Sequence, residues 1–253
     1  MKFSILIPTF NSSKTVQDSI NSILSQNFKD YEIIIIDNQS SDETINIIKK
    51  NNLKKIKYII ENDNGIYDAI NKGIELSSGE IISLLHSDDV YYDNKVLKCV
   101  YDAFKYHKVN IVYGDLVYVK KNNPKSILRY WKSKSFSNGD FLKGWHPPHP
   151  SFFAKNFLFK KYSLYKNSIG NAADVELMYK FLEINKINFF YLNKVLIKMR
   201  YGGKSNNSII SIIEQNKQII KFLGINNNYY KILRFFFYKL LNRLGQLIFR
   251  LKI

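Results

Sequence analysis

Apolar positions in the first 85 residues fall into short runs, and segments of helical period separate the runs. Phe3-Ser4-Ile5-Leu6-Ile7 has the length of a buried strand and stops at Pro8. Ser12 or Ser13 then caps a helix that carries Val16, Ile20, Ile23 and Leu24 on one face. Tyr31 to Ile36 is a second strand, rich in β-branched residues and closed by Asp37. Ser41-Asp42-Glu43 opens a helix through Ile45, Ile47 and Ile48; Ile56 to Ile60 is a third strand; Asn64-Gly65 turns the chain into a helix over Ile66 to Leu76. Ser78-Gly79 breaks that helix, and Ile81 to Leu85 is a fourth strand.

Strands that alternate with helices and are apolar throughout predict a parallel sheet covered on both faces. Ligands in such sheets bind outside the carboxyl ends of the strands. Pro8-Thr9, Asp37 and Asp88-Asp89 all fall at those ends. Taken alone, the adjacent carboxylates suit a turn that caps the next helix. With three strands delivering polar groups to one edge, they suit a hard divalent cation, which takes one or two carboxylates and leaves room for phosphate oxygens. Neither G-x-G-x-x-G after the first strand nor G-x-x-x-x-G-K-[ST] occurs, so bound phosphates would need a metal and side chains.

From about Asp93 the pattern becomes mixed. A helix near Asn94 to Tyr106 leads to the apolar runs Ile111-Val112-Tyr113 and Leu116-Val117-Tyr118-Val119, split by Gly114-Asp115. Gly144-Trp145-His146-Pro147-Pro148-His149-Pro150 is a rigid loop into the strand Ser151-Phe152-Phe153. Ala172 to Ile184 reads as a helix with Asp174 near its start; Phe189 to Met199 is extended; Gly202-Gly203-Lys204-Ser205 is a loop. In the tail, Leu233, Phe236, Phe237, Leu240, Leu241, Leu244, Leu247, Ile248 and Leu251 recur at helical spacing, opposite Lys231, Arg234, Lys239, Arg243 and Arg250. That pattern suits either a helix lying in a membrane interface or one packed on its own domain or a partner.

The composition narrows these readings. The 253 residues suffice for one large α/β domain or two small ones, and 45% hydrophobic residues supply a sizeable core. A net charge of +17 points to a polyanion or an anionic membrane, or to compositional drift toward Lys, Asn and Ile. One cysteine, Cys99, excludes an internal disulfide and a thiolate zinc cluster. No signal peptide and no apolar run of membrane-spanning length is visible, so a cytoplasmic location is expected.

Three blocks together carry a resemblance: Phe3 to Asn11, then Ile34-Ile35-Ile36-Asp37-Asn38-Gln39-Ser40-Ser41-Asp42, then Leu84-Leu85-His86-Ser87-Asp88-Asp89. Their order and spacing resemble the N-terminal half of the family 2 glycosyltransferases, inverting metal-dependent enzymes of the GT-A fold that use nucleotide-sugar donors. Gly65 to Ile74 resembles the subgroup that builds bacterial surface polysaccharides. The resemblance implies a Rossmann-like, mostly parallel central sheet with helices on both faces and a C-terminal amphipathic helical tail. It implies a GT-A domain over 1–205, with a nucleotide-sugar-binding half over 1–120 and an acceptor half over 121–205, followed by the tail over 206–253.

Carried over residue by residue, the resemblance gives Pro8, Thr9 and Asp37 to the nucleobase, with the Asp37 carboxylate accepting from a base N–H, and puts Asn11, Asp68 and Asn71 nearby. Asp89 coordinates Mg²⁺ or Mn²⁺, and Asp88 meets the ribose or the metal shell. Asp174 stands at the catalytic-base position, with Glu176 as the alternative because Ala173 replaces an acid common just before the base. His86 likewise stands where a third acid is common. His149 aligns with a family histidine, and Lys204 is placed to fold over the donor. The donor is expected to be a UDP-sugar. The acceptor is expected to be a glycan or lipid-linked oligosaccharide at the inner face of a plasma membrane, with peripheral contact through 229–253. Two rival readings are a catalytically inactive nucleotide-sugar-binding homologue and a nucleic-acid-binding protein. No nucleic-acid motif is present, and the aromatics lie in apolar patterns rather than among the basic residues.

Overall fold

A computed structural model describes residues 1–51, 53–202 and 209–248. Four strands lead the chain: β1 (Phe3–Thr9), β2 (Tyr31–Asp37), β3 (Ile56–Ile60) and β4 (Ile81–Leu84). They pair in parallel in the order β3-β2-β1-β4, with Thr9 opposite Asp37 in the register. The helices α1 (Val16–Leu24), α2 (Thr44–Lys50) and α3 (Ile66–Glu75) make the crossovers. Alternation along each strand divides two cores. Phe3, Ile5, Ile7, Ile33 and Ile35 pack with Val16, Ile20, Ile23 and Ile48, whereas Leu6, Ile34 and Ile36 pack with Ala69, Ile70 and Ile74. β3 is the edge strand, and its Tyr58 is exposed.

The second half of the sheet is mixed. After the short β5 (Val90–Tyr91) and α4 (Val96–His107) come β6 (Ile111–Lys120), β7 (Asn123–Trp131), β8 (Phe152–Lys155) and β9 (Phe189–Arg200). β8 runs antiparallel between β4 and β6, β9 is parallel to β6, and β7 pairs with the far half of β6. The expected break at Gly114-Asp115 is not a break. β6 runs through it, and only its register against β9 shifts there. Asp115 is fully enclosed at that point and accepts hydrogen bonds from Tyr130 and Tyr191 hydroxyls and the Ser133 amide.

Local starts differ from expectation in one place. Neither Ser12 nor Ser13 caps α1 with its side chain; the Ser12 hydroxyl meets Ser87 at 2.8 Å, and the Ser13 amide donates to Asp42. The Ser12 contact bridges the carboxyl ends of β1 and β4, where the crossovers change sides and an α/β sheet opens its ligand crevice.

Two shorter helices, α5 (Asn156–Lys161) and α6 (Ala173–Tyr179, continued by a π turn over Lys180–Ile184), cover the α3 side of the sheet. α7 (Ile209–Phe222) and α8 (Tyr229–Ile248) follow. Ile219 and Leu223 of α7 and Phe235 of α8 enter the same core, so both helices pack on the sheet domain. Among the described residues, no helix is long and apolar enough to cross a membrane.

Candidate active site

The carboxyl ends of β1, β2 and β4 form one rim. After β1, Asn11 takes a left-handed conformation (φ 47°), which Asn tolerates better than most residues. Its amide donates to Ser40 Oγ at 2.8 Å, and its side-chain oxygen accepts the Ser41 amide at 2.9 Å. Thr9 is buried, with its hydroxyl turned back to the Ile7 carbonyl. Asp37 is fully enclosed, and its two oxygens accept the Ser40 amide at 2.8 Å and the Ser40 hydroxyl at 2.7 Å. In this structure Asp37 frames the loop over Asn38 to Ser41.

Two other residues expected near the donor also brace the frame. Asp68 accepts the Asn64 amide at 3.0 Å and pairs with Lys72 at 3.6 Å, closing the start of α3. Asn71 grips the backbone of Tyr165 with both ends of its amide, at 2.8 and 3.0 Å.

After β4, the turn over His86 to Asp89 separates the two adjacent carboxylates. Asp89, expected to carry the ion, lies deep in the turn. Asp89 is 1% exposed. One of its oxygens accepts the Arg200 amide at 3.1 Å, and its own carbonyl accepts the Ser19 hydroxyl at 2.6 Å. Its other carboxylate oxygen is buried without a hydrogen-bond partner among the described residues. Burial, together with the Asp88 charge, pushes this carboxyl well above the usual range. Asp88 is the half-exposed member of the pair, and among the described residues no hydrogen-bond donor meets its carboxylate. Arg200, at the end of β9, fixes the turn: its guanidinium donates to the Asp88 carbonyl at 2.9 Å and also reaches Asp18.

The residues fit a divalent cation only sparsely. No group of three or more His, Cys, Asp or Glu side chains among the described residues could hold one. The protein would offer the open Asp88 carboxylate, and phosphate oxygens and water would complete the shell, as is usual for Mg²⁺.

The second half of the chain brings a further carboxylate to this rim. Asp174 begins α6, where its side chain accepts the Val175 amide at 2.8 Å, and the Tyr67 hydroxyl lies near enough to favour its charge. His149 Nδ1 lies 4.0 Å from Asp174 Oδ2, and His149 Nε2 is 2.8 Å from the Tyr165 hydroxyl. Tyr165 in turn stacks on Tyr67, with centroids 5.5 Å apart. His146 holds its Nδ1 2.9 Å from the Pro147 carbonyl, an acceptor, so that nitrogen carries the proton. Burial pushes His149 down to about 3, helped by the neighbouring His86. Burial also lowers His86 and His146, against the pull of Asp174 on both and of Asp88 on His86. Neutral imidazoles thus surround Asp174, whose own carboxyl burial pushes up, opposed by His146 and its hydrogen bonds.

Glu176 belongs elsewhere. Its carboxylate pairs with Lys180 at 2.8 Å and Lys166 at 3.6 Å. Lys204 lies outside the described residues. The sequence reading missed Tyr67, Tyr165 and Arg200. Arg200 is detectable in principle, as a single arginine closing an apolar strand, but Tyr67 and Tyr165 carry no signal in a chain with 18 tyrosines.

A three-layer α/β fold with a 3-2-1-4 strand order, a mixed second half and a rim of this kind is that of a GT-A glycosyltransferase. The Glycosyl transferase family 2 model matches residues 4–166, and the chain belongs to that family. It is 29% identical over 231 residues to an uncharacterized glycosyltransferase of Rickettsia typhi, covering 84% of this chain and 68% of that one. It is 32% identical over 177 residues to the poly(ribitol-phosphate) beta-N-acetylglucosaminyltransferase TarP of Staphylococcus aureus, covering 66% of this chain and 51% of that one. Among solved structures, S. aureus TarS 1-349 superposes with a TM-score of 0.65 at 20% identity, over 93% of this chain and 71% of that one. The mannosyltransferase PcManGT from Pyrobaculum calidifontis gives 0.65 at 14% identity, over 97% and 70%.

Proposed function

We propose that this chain transfers a sugar, with inversion, from a nucleoside-diphosphate donor to a glycan or lipid-linked oligosaccharide acceptor in surface-polymer synthesis. One observation carries the reading: the His86 ring, two residues before Asp88, lies 6.5 Å from the His149 ring, whose Nδ1 is 4.0 Å from Asp174, so groups from opposite halves of the chain meet at one place. Family membership supports the reaction type. The printed function of TarP and the solved complexes of TarS with UDP and UDP-GlcNAc support a UDP-sugar donor. The PcManGT complex with GDP-Man and Mn²⁺ supports a divalent cation.

In this reading the nucleotide lies across the β1/β4 crevice, on the loops that begin at Pro8-Thr9-Phe10-Asn11 and are framed by Asp37. Asp88 holds Mg²⁺ or Mn²⁺, which when bound stabilises the negative charge on the leaving diphosphate. Asp174 accepts the proton of the acceptor hydroxyl as that oxygen attacks carbon 1 of the sugar, and the bonding pair departs with the diphosphate. Tyr67 holds the carboxylate, and His149 lines its other side. A positioned general base contributes roughly 10²–10⁴-fold. One base with direct displacement inverts carbon 1.

The test is a thermal-shift panel of UDP-, GDP- and dTDP-sugars with Mn²⁺. Donor at 100 times its Kd should raise the melting temperature by roughly 5–10 °C, and only one nucleobase class should do so. A flat response to every nucleotide, with anionic polymers stabilising instead, would replace this reading with the nucleic-acid one.

A further inference from the structure

α8 faces two ways. Phe235 is its buried anchor, 1% exposed, and Lys239 lies one turn on. These residues lie against Gly144, which has φ 62°; a Cβ there would meet Lys239 Cβ at 2.9 Å and the Phe235 carbonyl at 3.1 Å. Gly144 opens the loop that carries His146 and His149. The Lys239 ammonium donates to Asn216 of α7, and burial lowers it to about 8, with Arg243 adding to that and Asp174 opposing it. The inner face of α8 is therefore fastened to the histidine loop beside the candidate base.

The outer face has no partner among the described residues. At about 100° per residue, Leu233, Phe237, Leu240 and Leu244 all fall within roughly 40° of the direction opposite Phe235. They are 50%, 60%, 58% and 47% exposed, and Leu241 on the flank is 47% exposed. Soluble monomers rarely leave so continuous an apolar stripe in water. Arg234 and Arg243 border it on its two sides, and no acidic residue occurs from Tyr229 to Ile248. This departs from the expected arrangement in one respect, because Lys239 turns inward with Phe235 rather than joining the basic border.

We propose that the outer face of α8 docks on the surface of an anionic phospholipid bilayer, which brings the histidine loop and Asp174 to the lipid interface. An apolar stripe edged only by cations matches such a surface, where acyl chains receive the leucines and headgroup phosphates meet the cations. A protein partner would match the stripe but gives no reason for a border of one sign. The docking stands on α8 alone; the delivery of a membrane-borne acceptor to Asp174 rests on the transferase reading above.

The experiment is co-sedimentation of the full chain with vesicles of phosphatidylcholine containing phosphatidylglycerol, compared with phosphatidylcholine alone. The chain should bind the anionic vesicles and bind the neutral ones far more weakly. Leu240→Gln with Leu244→Gln should weaken binding at least about tenfold, and Arg234→Glu by about fivefold or more. All three positions are exposed, so melting temperature and donor-induced stabilisation should stay unchanged, which separates this test from that of the transferase reading. Absence of binding to anionic vesicles, or binding that the leucine variants leave intact, overturns the proposal. So does a dimer in light scattering that Leu240→Gln with Leu244→Gln converts to monomer, because the occupant is then a second copy.

Discussion

The two ends of the parallel strands treat buried carboxylates in opposite ways. At the amino end, Glu32 of β2 is 1% exposed, and its Oε2 has no hydrogen-bond partner among the described residues but has a cation beside it. Oε1 accepts from Ser4 Oγ at 2.6 Å and from the Ser78 amide and hydroxyl at 2.8 and 2.7 Å, and Oε2 pairs with Lys57 at 2.8 Å. Burial pushes this carboxyl up, but Lys57, Ser4 and Ser78 together outweigh it and hold it at about 2. At the carboxyl end, Asp89 has an oxygen with no partner among the described residues, and Asp174 lies among neutral imidazoles; burial raises both. A satisfied charge fastens strands together. An under-satisfied one is poised to take a proton or a cation, which is how functional sites differ from structural ion pairs.

Exchanging the charges tests this difference, and the largest effects belong to the carboxyl end. Asp174→Asn should lower kcat for transfer by roughly 10²–10⁴-fold with the fold unchanged by circular dichroism. Asp88→Asn should abolish the Mn²⁺ dependence of donor binding, seen as loss of the metal-dependent part of the thermal shift. Asp89→Asn should preserve that part, because burial leaves the Asp89 oxygen to a proton and the more exposed Asp88 to the ion. If Asp89→Asn removes the metal response and Asp88→Asn keeps it, the assignment of the open carboxylate is reversed.

The amino end should respond in stability rather than rate. Glu32→Ala strands the donors of Ser4, Ser78 and Lys57 and should lower unfolding free energy by about 3 kcal/mol, read by urea denaturation. Its pH signature follows from the lowered carboxyl. The folded value lies near 2 and the unfolded near 4.5, so the contribution is fully present above about pH 4.5 and fades as pH falls toward 2. The variant should lose that acid-side slope. Asp89 has the opposite sign. Its folded carboxyl is raised, so its contribution is complete below the unfolded value near 3.8 and is lost as pH rises through the folded one. Asp89→Asn should flatten the decline on that side only.

How far these ends were legible in the sequence follows from the same contrast. The strand runs and helical periods of residues 3–85 are local signals, and each strand formed where its apolar run lay. The carboxyl-end rim was readable because Thr9, Asp37 and Asp88-Asp89 interrupt those runs at one topological level. Glu32 was not readable: it is one acid inside an apolar strand, and its partners come from 25 to 46 residues away. The difference in exposure between Asp88 and Asp89 was hidden for a similar reason, since Arg200, whose amide meets Asp89, lies 111 residues on. β7 escaped notice because its Lys, Arg and Pro residues break the apolar alternation, although it pairs with β6 from Asn123 to Trp131.

Glu176 supplies the smallest effect and the sharpest control on the base. It sits two residues from Asp174 on the same helix and is the more buried of the two, at 5% exposure against a partly open Asp174, so proximity alone does not separate them. Their partners do: Glu176 pairs with Lys180 and Lys166, whereas Asp174 is held by Tyr67 beside His149. Glu176→Gln keeps the shape and an acceptor for Lys180, so it should lower stability by about 1 kcal/mol and change kcat less than about threefold. Steady-state transfer assays on the two variants side by side decide the matter. A loss in Glu176→Gln as deep as that in Asp174→Asn would move the base one residue pair along α6 and leave the Tyr67–Tyr165–His149 chain as packing alone.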